Sequence, residues 1–293
     1  MRAMAYIDLH THTTASDGSF SPAELVQAAD RAGLKAVAIT DHDTIAGLSE
    51  ALAAGQGLDM EVVAGVEISI EVGLKGGAHL VGLWIRPDNQ GLLKGLTRLQ
   101  EARRQRNPRM LARLNDLGLK LSMDEVLAQA GGKQVGRPHF ARALVDKGLA
   151  RTVGEVFSRW LGAGASAYVP KERLAPGEGI GLIRAAGGVP VLAHPGLLDL
   201  DRPGLESLLR KLKGLGLEGL EAYYSEHDEA TRRSLESLAA RLGLAVSGGS
   251  DFHGDNKPQV RLGLGKGDLR VPAALLATLK QRLKRVREEA GDA

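Results

Sequence analysis

The sequence predicts an α/β protein in which repeated strand–helix units build a parallel sheet covered by helices. Two observations carry this. Seven short apolar runs rich in Val, Ile and Leu, most of them bounded by glycine, recur along the chain at residues 5–9, 36–40, 62–68, 79–85, 189–193, 217–223 and 244–247. Most are followed by a stretch of helical period, and near-continuous apolar strands alternating with helices are the signature of parallel sheets buried on both faces. A third observation qualifies the pattern. Residues 92–167 show helical periodicity and no strand, which predicts a helical insertion between the fourth and fifth strands of a scaffold made of residues 1–91 and 168–293. Seven strands of this kind suit an open doubly wound sheet or a closed barrel.

The elements follow in order. Residues 5–9 form a first strand ending at His10 and His12. SPAELVQAADRAG then has Ser21 as N-cap, Pro22 at the first helical position, Glu24 to complete a capping box and Gly33 as stop. TIAGLSEALAAG, PGEGIGLIRAAGG, GLESLLRKLKGLG and DEATRRSLESLAARLG read as the helices after later strands. Within the insertion a long helix spans 92–117, and Ser122/Glu125 and Thr152/Glu155 open two shorter ones around HFARALVDKG.

Composition narrows the class. The 293 residues are 43% hydrophobic and 25% charged, enough for a large core, and no apolar run reaches the ~20 residues that span a bilayer. MRAMAYIDLH runs straight into the first strand, which leaves no room for a signal peptide. Without cysteine there is no disulfide framework, thiolate metal site or thiol nucleophile, in keeping with a cytoplasmic location. Net charge is +3, but six arginines and a single acid, Glu101, fall between Arg98 and Arg113. The basic run Lys280, Arg282, Lys284, Arg285 and Arg287 on the last helix reads as a solvated face. A basic surface near a metal site suits a phosphorylated ligand.

Ligand-type side chains gather at the strand ends. In a strand, residues two apart point the same way, so His10 and His12 aim two imidazoles at one place, with Asp17 close behind. ITDHD carries His42 between Asp41 and Asp43, either of which could merely cap the next helix. GVEIS places Glu67 in an otherwise apolar strand. His79 opens the fourth strand, LAHPG brings His194, AYYSEHD His227, and GGSDFHG Asp251 and His253. Seven of the eight histidines take such positions, and the eighth, His139, lies in GRPHFAR of the insertion. Imidazoles with carboxylates suit zinc, manganese or iron. In barrels of parallel strands, active sites lie at the C-terminal strand ends; His79, at the start of its strand, is the exception. One ion takes three or four protein ligands, so nine candidates, even without His227, fit a cluster of two or three.

HTHTTASDG, ITDHD, GVEIS, AHLVG, AHP and SDFHG, in this order, resemble the motifs of the PHP (polymerase and histidinol phosphatase) domain. GRPHFAR, AYVPK and YYSEH are similar to the subgroup that includes nucleoside 3′,5′-bisphosphate phosphatases and the exoribonuclease that degrades short RNA from its 5′ end. The resemblance implies a distorted (β/α)7 barrel with three divalent ions, manganese foremost and iron, zinc or magnesium as alternatives. It implies that His10, His12, Glu67 and Asp251 hold one ion, that Glu67, His79 and His194 hold a second with Glu67 bridging, and that Asp17, His42 and His253 hold a third. His227 and His139 then belong to the substrate pocket, His227 as the group serving the leaving oxygen. The insertion caps the barrel mouth, and Arg137, His139, Lys171, Arg103 and Arg106 are candidate contacts to a small phosphorylated substrate, a nucleotide or short RNA. Arg142 reads as a structural ion-pair partner.

Other readings are a phosphatase of another small phosphomonoester related to histidinol phosphate, an amidohydrolase, and a non-catalytic nucleic-acid-binding accessory module. The last expects eroded ligands and a fused polymerase, and aromatics at only 3% leave few rings for stacking on single strands. Neither duplex DNA nor a membrane is an expected partner, and the oligomeric state is not readable.

Overall fold

The computed structural model describes residues 5–130 and 134–291. The barrel begins with β1 (Tyr6–Asp8), α1 (Pro22–Arg31), β2 (Ala36–Ile39), α2 (Leu48–Ala54), β3 (Glu61–Ile70) and β4 (Ala78–Leu83). A helical segment follows, with α3 (Gln90–Asp116), α4 (Met123–Leu127), α5 (Arg137–Asp146) and α6 (Val153–Val156), the last running into a π-helical turn, Phe157–Leu161. The barrel resumes with α7 (Pro176–Ala185), β5 (Val189–Leu192), α8 (Arg202–Gly214), β6 (Gly219–Tyr224), α9 (Glu229–Leu242) and β7 (Ala245–Gly249), and ends with β8 (Val271–Pro272) and α10 (Leu275–Glu289). The predicted caps form: Ser21 and Glu24 make a reciprocal capping box on α1, Ser122 and Glu125 on α4, and Thr152 accepts from the Glu155 N–H on α6.

The strands lie in the order β7-β6-β5-β4-β3-β2-β1-β8. Beyond that strip, Leu9 N–H donates to Gly248 O, Asp251 N–H to His10 O and His12 N–H to Phe252 O, so β1 meets the chain leaving β7 and the sheet nearly closes. The result is a distorted (β/α)7 barrel. Side chains alternate along the strands. Ala36, Ala38, Val63, Val81, Leu83, Val189 and Val191 fill the interior, while Val37, Ile39, Val66, Ile68, Leu80 and Leu192 face the surrounding helices. Both faces are buried, which is why the strands read as unbroken apolar runs.

The all-parallel expectation needs correcting at one strand. β4 runs antiparallel to both β3 and β5, because only residues 71–77 separate β3 from β4, too few for the helix that a parallel return requires. β8 is a second antiparallel strand, a two-residue edge against β1 that the apolar runs do not reveal.

α10 covers the end of the interior core opposite the ligand-bearing strand ends through Leu279. Its cations are not simply solvated. Lys280 pairs with Glu61 at 2.7 Å, Arg285 with the buried Glu218, and Arg287 donates to the Gly187 and Trp84 carbonyls. The basic run therefore fastens α10 to the barrel. Leu92, Leu96 and Leu99 of α3 pack on the barrel's outer core, whereas Met110 and Leu114 join a separate core with Val126, Phe140, Leu144, Val156 and Trp160. Arg142 pairs with Asp146 at 3.4 Å.

Candidate metal centre

The chain leaving β1 carries His10 and His12, and both rings are fully buried. Glu221 of β6 accepts from His10 Nδ1 at 3.0 Å, which leaves His10 Nε2 bare and facing inward, 3.5 Å from Glu67 Oε2 and 3.8 Å from Asp251 Oδ1. His12 Nε2 lies 3.4 Å from Glu67 Oε2 and 3.2 Å from Asp251 Oδ1. On the other side of Glu67, Oε1 is 2.9 Å from His79 Nδ1 and 3.1 Å from His194 Nε2, and those two nitrogens are 3.4 Å apart. A third group surrounds Asp17. His253 Nε2 lies 3.4 Å from Oδ1, its Nδ1–H donating to the Asp251 carbonyl, and His42 Nε2 lies 3.9 Å from Oδ2. His42 leans the other way as well, with Nδ1 2.7 Å from Glu67 Oε2.

These separations have a meaning. Donors bound to one ion at about 2.1 Å stand roughly 3.4 Å apart in a tetrahedron and about 3 Å apart in an octahedron. His10 Nε2, His12 Nε2, Asp17 Oδ1 and Glu67 Oε2 are buried with no hydrogen-bond partner in the protein. Stranding such atoms costs about 1–3 kcal/mol each unless a ligand takes them. Burial, with His253 and His42 alongside, pulls the His12 imidazole down to about 3. Burial pulls His79 to about 4. Both are therefore neutral at ordinary pH, the form that binds metal. Burial is the largest influence on Glu67 and opposes its charge, yet His42, His79 and His10 hold its carboxyl well below the usual range. The donor set fits divalent ions.

The backbone explains how one short stretch of each unit reaches the centre. Of four non-glycine residues with left-handed φ among the described residues, three are here: Asp43 (φ 52°), His194 (φ 33°) and Asp251 (φ 57°). Such strain persists where the surroundings hold it, typically at functional sites. Buried acids do the holding. Asp8 accepts from Ser250 N, Ser250 Oγ and Gly263 N, fixing the loop that carries Asp251, and burial raises its carboxyl to about 6. Asp41 accepts from Thr13 N, Thr13 Oγ1 and Ser16 Oγ, which shapes the turn leading to Asp17. Asp43 holds Ser69, Arg103 and Lys171. Neither Asp41 nor Asp43 caps α2, whose N-cap is Gly47.

His79 is no longer an exception. Because β4 is reversed, its first residues lie at the same barrel end as the last residues of its parallel neighbours, and Ser69↔His79 is a register pair with β3. Three residues not singled out in the sequence complete the centre. Glu221 holds both His10 Nδ1 and, at 2.7 Å, the His194 N–H. Tyr224 Oη and Lys257 Nζ both reach Asp251 Oδ2, at 2.9 and 2.6 Å. Glu221 had the same signal as Glu67, an acid in an apolar strand.

Arg103, Arg106, Arg137 and Lys171 line one cleft with Asp17, His42 and His79. Arg103 and Lys171 each stand 2.5 Å from Asp43 Oδ2. Arg106 is buried and donates to Asn107 Oδ1 and toward the Met110 sulfur; Arg137 lies over the Phe157 and Tyr168 rings and donates to Leu161 O. Among the described residues, no carboxylate is within ion-pair distance of either. Burial, with Arg103 and Arg137 beside it, pulls Arg106 down to about 9, and burial followed by Arg103 pulls Lys171 to about 7. His139 is buried and its Nδ1 accepts from Gly136 N–H at the start of α5. His227 is set apart from the cluster: its Nδ1 meets Ala222 O at 2.9 Å and its Nε2 the Gly196 N–H at 3.1 Å. The proton-donor expectation for His227 thus has no free ring nitrogen to act through in this conformation.

A barrel mouth that gathers imidazoles and carboxylates beside a row of cations defines a metal-dependent hydrolase. The PHP domain model matches residues 8–162. A 3′,5′-nucleoside bisphosphate phosphatase of Chromobacterium violaceum is 36% identical over 254 residues, 85% of this chain and 88% of that protein. The 5′-3′ exoribonuclease Rnm of Escherichia coli is 35% identical over 248 residues, 84% of each. A solved structure from Chromobacterium violaceum, described as an amidohydrolase with bound sulfate and no metal, superposes with a TM-score of 0.85 at 32% identity, covering 95% of this chain and 97% of that one. The chain belongs to the PHP domain family. It is a hydrolase of phosphoester bonds.

Proposed function

We propose that this protein uses a cluster of three divalent ions, manganese foremost, to hydrolyse a phosphate ester of a small substrate bearing a second phosphate. A nucleoside 3′,5′-bisphosphate or the 5′ end of a short RNA meets that description. The observation that carries the reading is the cleft beside the donor cluster, lined by four arginines and a lysine: Arg103 and Lys171 share Asp43, Arg173 pairs with Glu71, and among the described residues Arg106 and Arg137 have no carboxylate within ion-pair distance. A monoester needs charge only where its phosphorus is attacked. The further cations suit an anionic group that is bound and not cleaved.

His10, His12, Glu67 and Asp251 would hold one ion, Glu67, His79 and His194 a second, and Asp17, His42 and His253 a third. Bound there, the ions supply Lewis-acid charge for the phosphoryl oxygens and lower the pKa of water. The chain's own part is orientation. Glu67 turns one oxygen to each side of the centre, Glu221 fixes the His10 tautomer, and Asp43 spaces Arg103 and Lys171 across the cleft. The helical segment 92–167 serves as the cap that recognises the rest of the substrate. Support for the nucleotide reading comes from the relatives named for a nucleoside bisphosphate and for RNA; intact donor groups speak against an accessory module.

The test is a panel of phosphate esters presented to manganese-reconstituted protein: nucleoside 3′,5′-bisphosphates, 5′-phosphorylated RNA dinucleotides, histidinol phosphate and an aryl phosphate. The two-phosphate substrates should show the highest kcat/KM, and a chelator should abolish all turnover. Preference for a compound with a single phosphate would overturn the substrate assignment, and chelator-resistant turnover would overturn the metal.

A further inference from the structure

His227 follows β6 by three residues and folds back onto that strand, its Nδ1 meeting Ala222 O. A carbonyl oxygen can only accept and an amide N–H can only donate. The contacts to Ala222 O and Gly196 N–H therefore place the ring proton on Nδ1 and leave Nε2 bare, whatever the ring would prefer alone. A second proton on Nε2 would face the Gly196 N–H and break that bond. Gly196 stands two residues beyond His194, whose backbone is left-handed and whose Nε2 must reach Glu67 Oε1. The turn is held at both ends by side chains from one stretch of chain: Glu221 takes the His194 N–H, and His227 takes the Gly196 N–H. Between them the Tyr224 ring packs against both imidazoles, at 5.4 Å from His194 and 5.1 Å from His227. The fit at Gly196 is close, since a Cβ there would come within 2.6 Å of His227 Nε2.

We propose that His227 is a positioning residue whose Nε2 pins Gly196 and so keeps His194 in the left-handed conformation that aims it at Glu67. The proton for the leaving oxygen then comes from elsewhere. The inference rests on the metal-dependent reading above, through His194 as a ligand.

The experiment compares His227→Ala, His227→Gln and Gly196→Ala with the parent, each stripped by chelator, checked for folding by circular dichroism and titrated with Mn2+ alone. Removing an outer-shell partner typically costs 10–100-fold in metal affinity, and that loss is expected for His227→Ala. His227→Gln retains a carbonyl acceptor for Gly196 and should stay within about threefold of the parent, although it cannot act as an acid. Gly196→Ala, which pushes the turn off the ring, should reproduce the loss even if His227→Ala fails to fold. Where esters are turned over, His227→Ala should slow good and poor leaving groups by the same factor. Parent-like Mn2+ affinity in His227→Ala or Gly196→Ala, or a His227→Gln as weak as the alanine variant, would overturn the pin. So would a kinetic loss confined to poor leaving groups, the mark of a lost general acid. The Mn2+ titration needs no substrate, so it remains decisive even if the parent hydrolyses none of the esters above.

Discussion

Glu67 gives Oε1 to His79 and His194 and Oε2 to His10, His12 and His42, so one carboxylate ties the two halves of the centre together. Glu67→Gln keeps the volume but sets an NH2 group against nitrogen donors. It should lower both metal content, read by elemental analysis, and turnover, the latter by at least about a hundredfold; survival within tenfold would reduce Glu67 to a buried polar residue. Arg106 poses the opposite case, a buried cation with no carboxylate within ion-pair distance among the described residues. A charge-assisted contact contributes about 1.5–3 kcal/mol, so Arg106→Gln should lower kcat/KM for a bisphosphate by roughly 10–100-fold and leave an aryl phosphate almost unchanged. Because the change removes an uncompensated buried charge, the urea midpoint should not fall. Equal losses on both substrates would move Arg106 from the second anion to the centre itself. At this scale the sequence was most readable where imidazoles gather at a strand end, as His10 and His12 do, and at Glu67, an acid inside an apolar strand, although Asp8 and Glu221 stand in apolar runs in the same way and were not singled out. It was least readable where a polar residue acts on another one. Asp8 and Tyr224 meet Asp251 or its loop only after β1, β6 and β7 have come together, and no spacing along the chain announces that; Lys257 follows Asp251 by six residues, but nothing in a lone lysine marks it as that partner.

Continuous apolar runs placed seven strands, because both faces of each are buried, and the 3.6-residue period placed their helices, because burial on one face leaves a stripe. Direction is not encoded in such runs. β4 carries the same Leu–Val–Gly–Leu pattern as a parallel strand, and only the short 71–77 connection tells of its reversal. The consequence is functional, since the reversal delivers His79 to the ligand end. The register of β3 against its neighbours is correspondingly tight. A Cβ at Gly65 would come within 2.9 Å of Ile39 O and 3.0 Å of Gly82 O, backbone atoms on both adjoining strands that cannot swing aside. Gly65→Ala should therefore destabilise the metal-free protein by about 1–3 kcal/mol in urea unfolding, the usual cost of overpacking. Glu67 is two residues further along β3, so metal affinity should drop with it. A variant that loses neither shows that β3 can shift without disturbing the centre.

Taken whole, the molecule has an interior barrel core, a core between strands and outer helices, and a third under the helical segment, with α3 crossing from the second to the third. The centre sits where strand ends from nearly every unit converge, so its donors are held together by the same closure that forms the barrel. Unpartnered buried donors make that closure costly, and an ion that satisfies them binds the folded chain alone. Stabilisation then follows mass action, at about 2.7 kcal/mol for each site at a hundred times its Kd. For a chain of this size each kcal/mol raises Tm by roughly 2–4 °C, which predicts a rise of about 5–10 °C per ion on adding Mn2+ to chelator-treated protein. The rise should grow with Mn2+ concentration and shrink sharply in Glu67→Gln. An equal rise in that variant would mean that the ions bind elsewhere on the surface, and a Tm indifferent to Mn2+ and chelator would mean that the buried donors are satisfied without a metal.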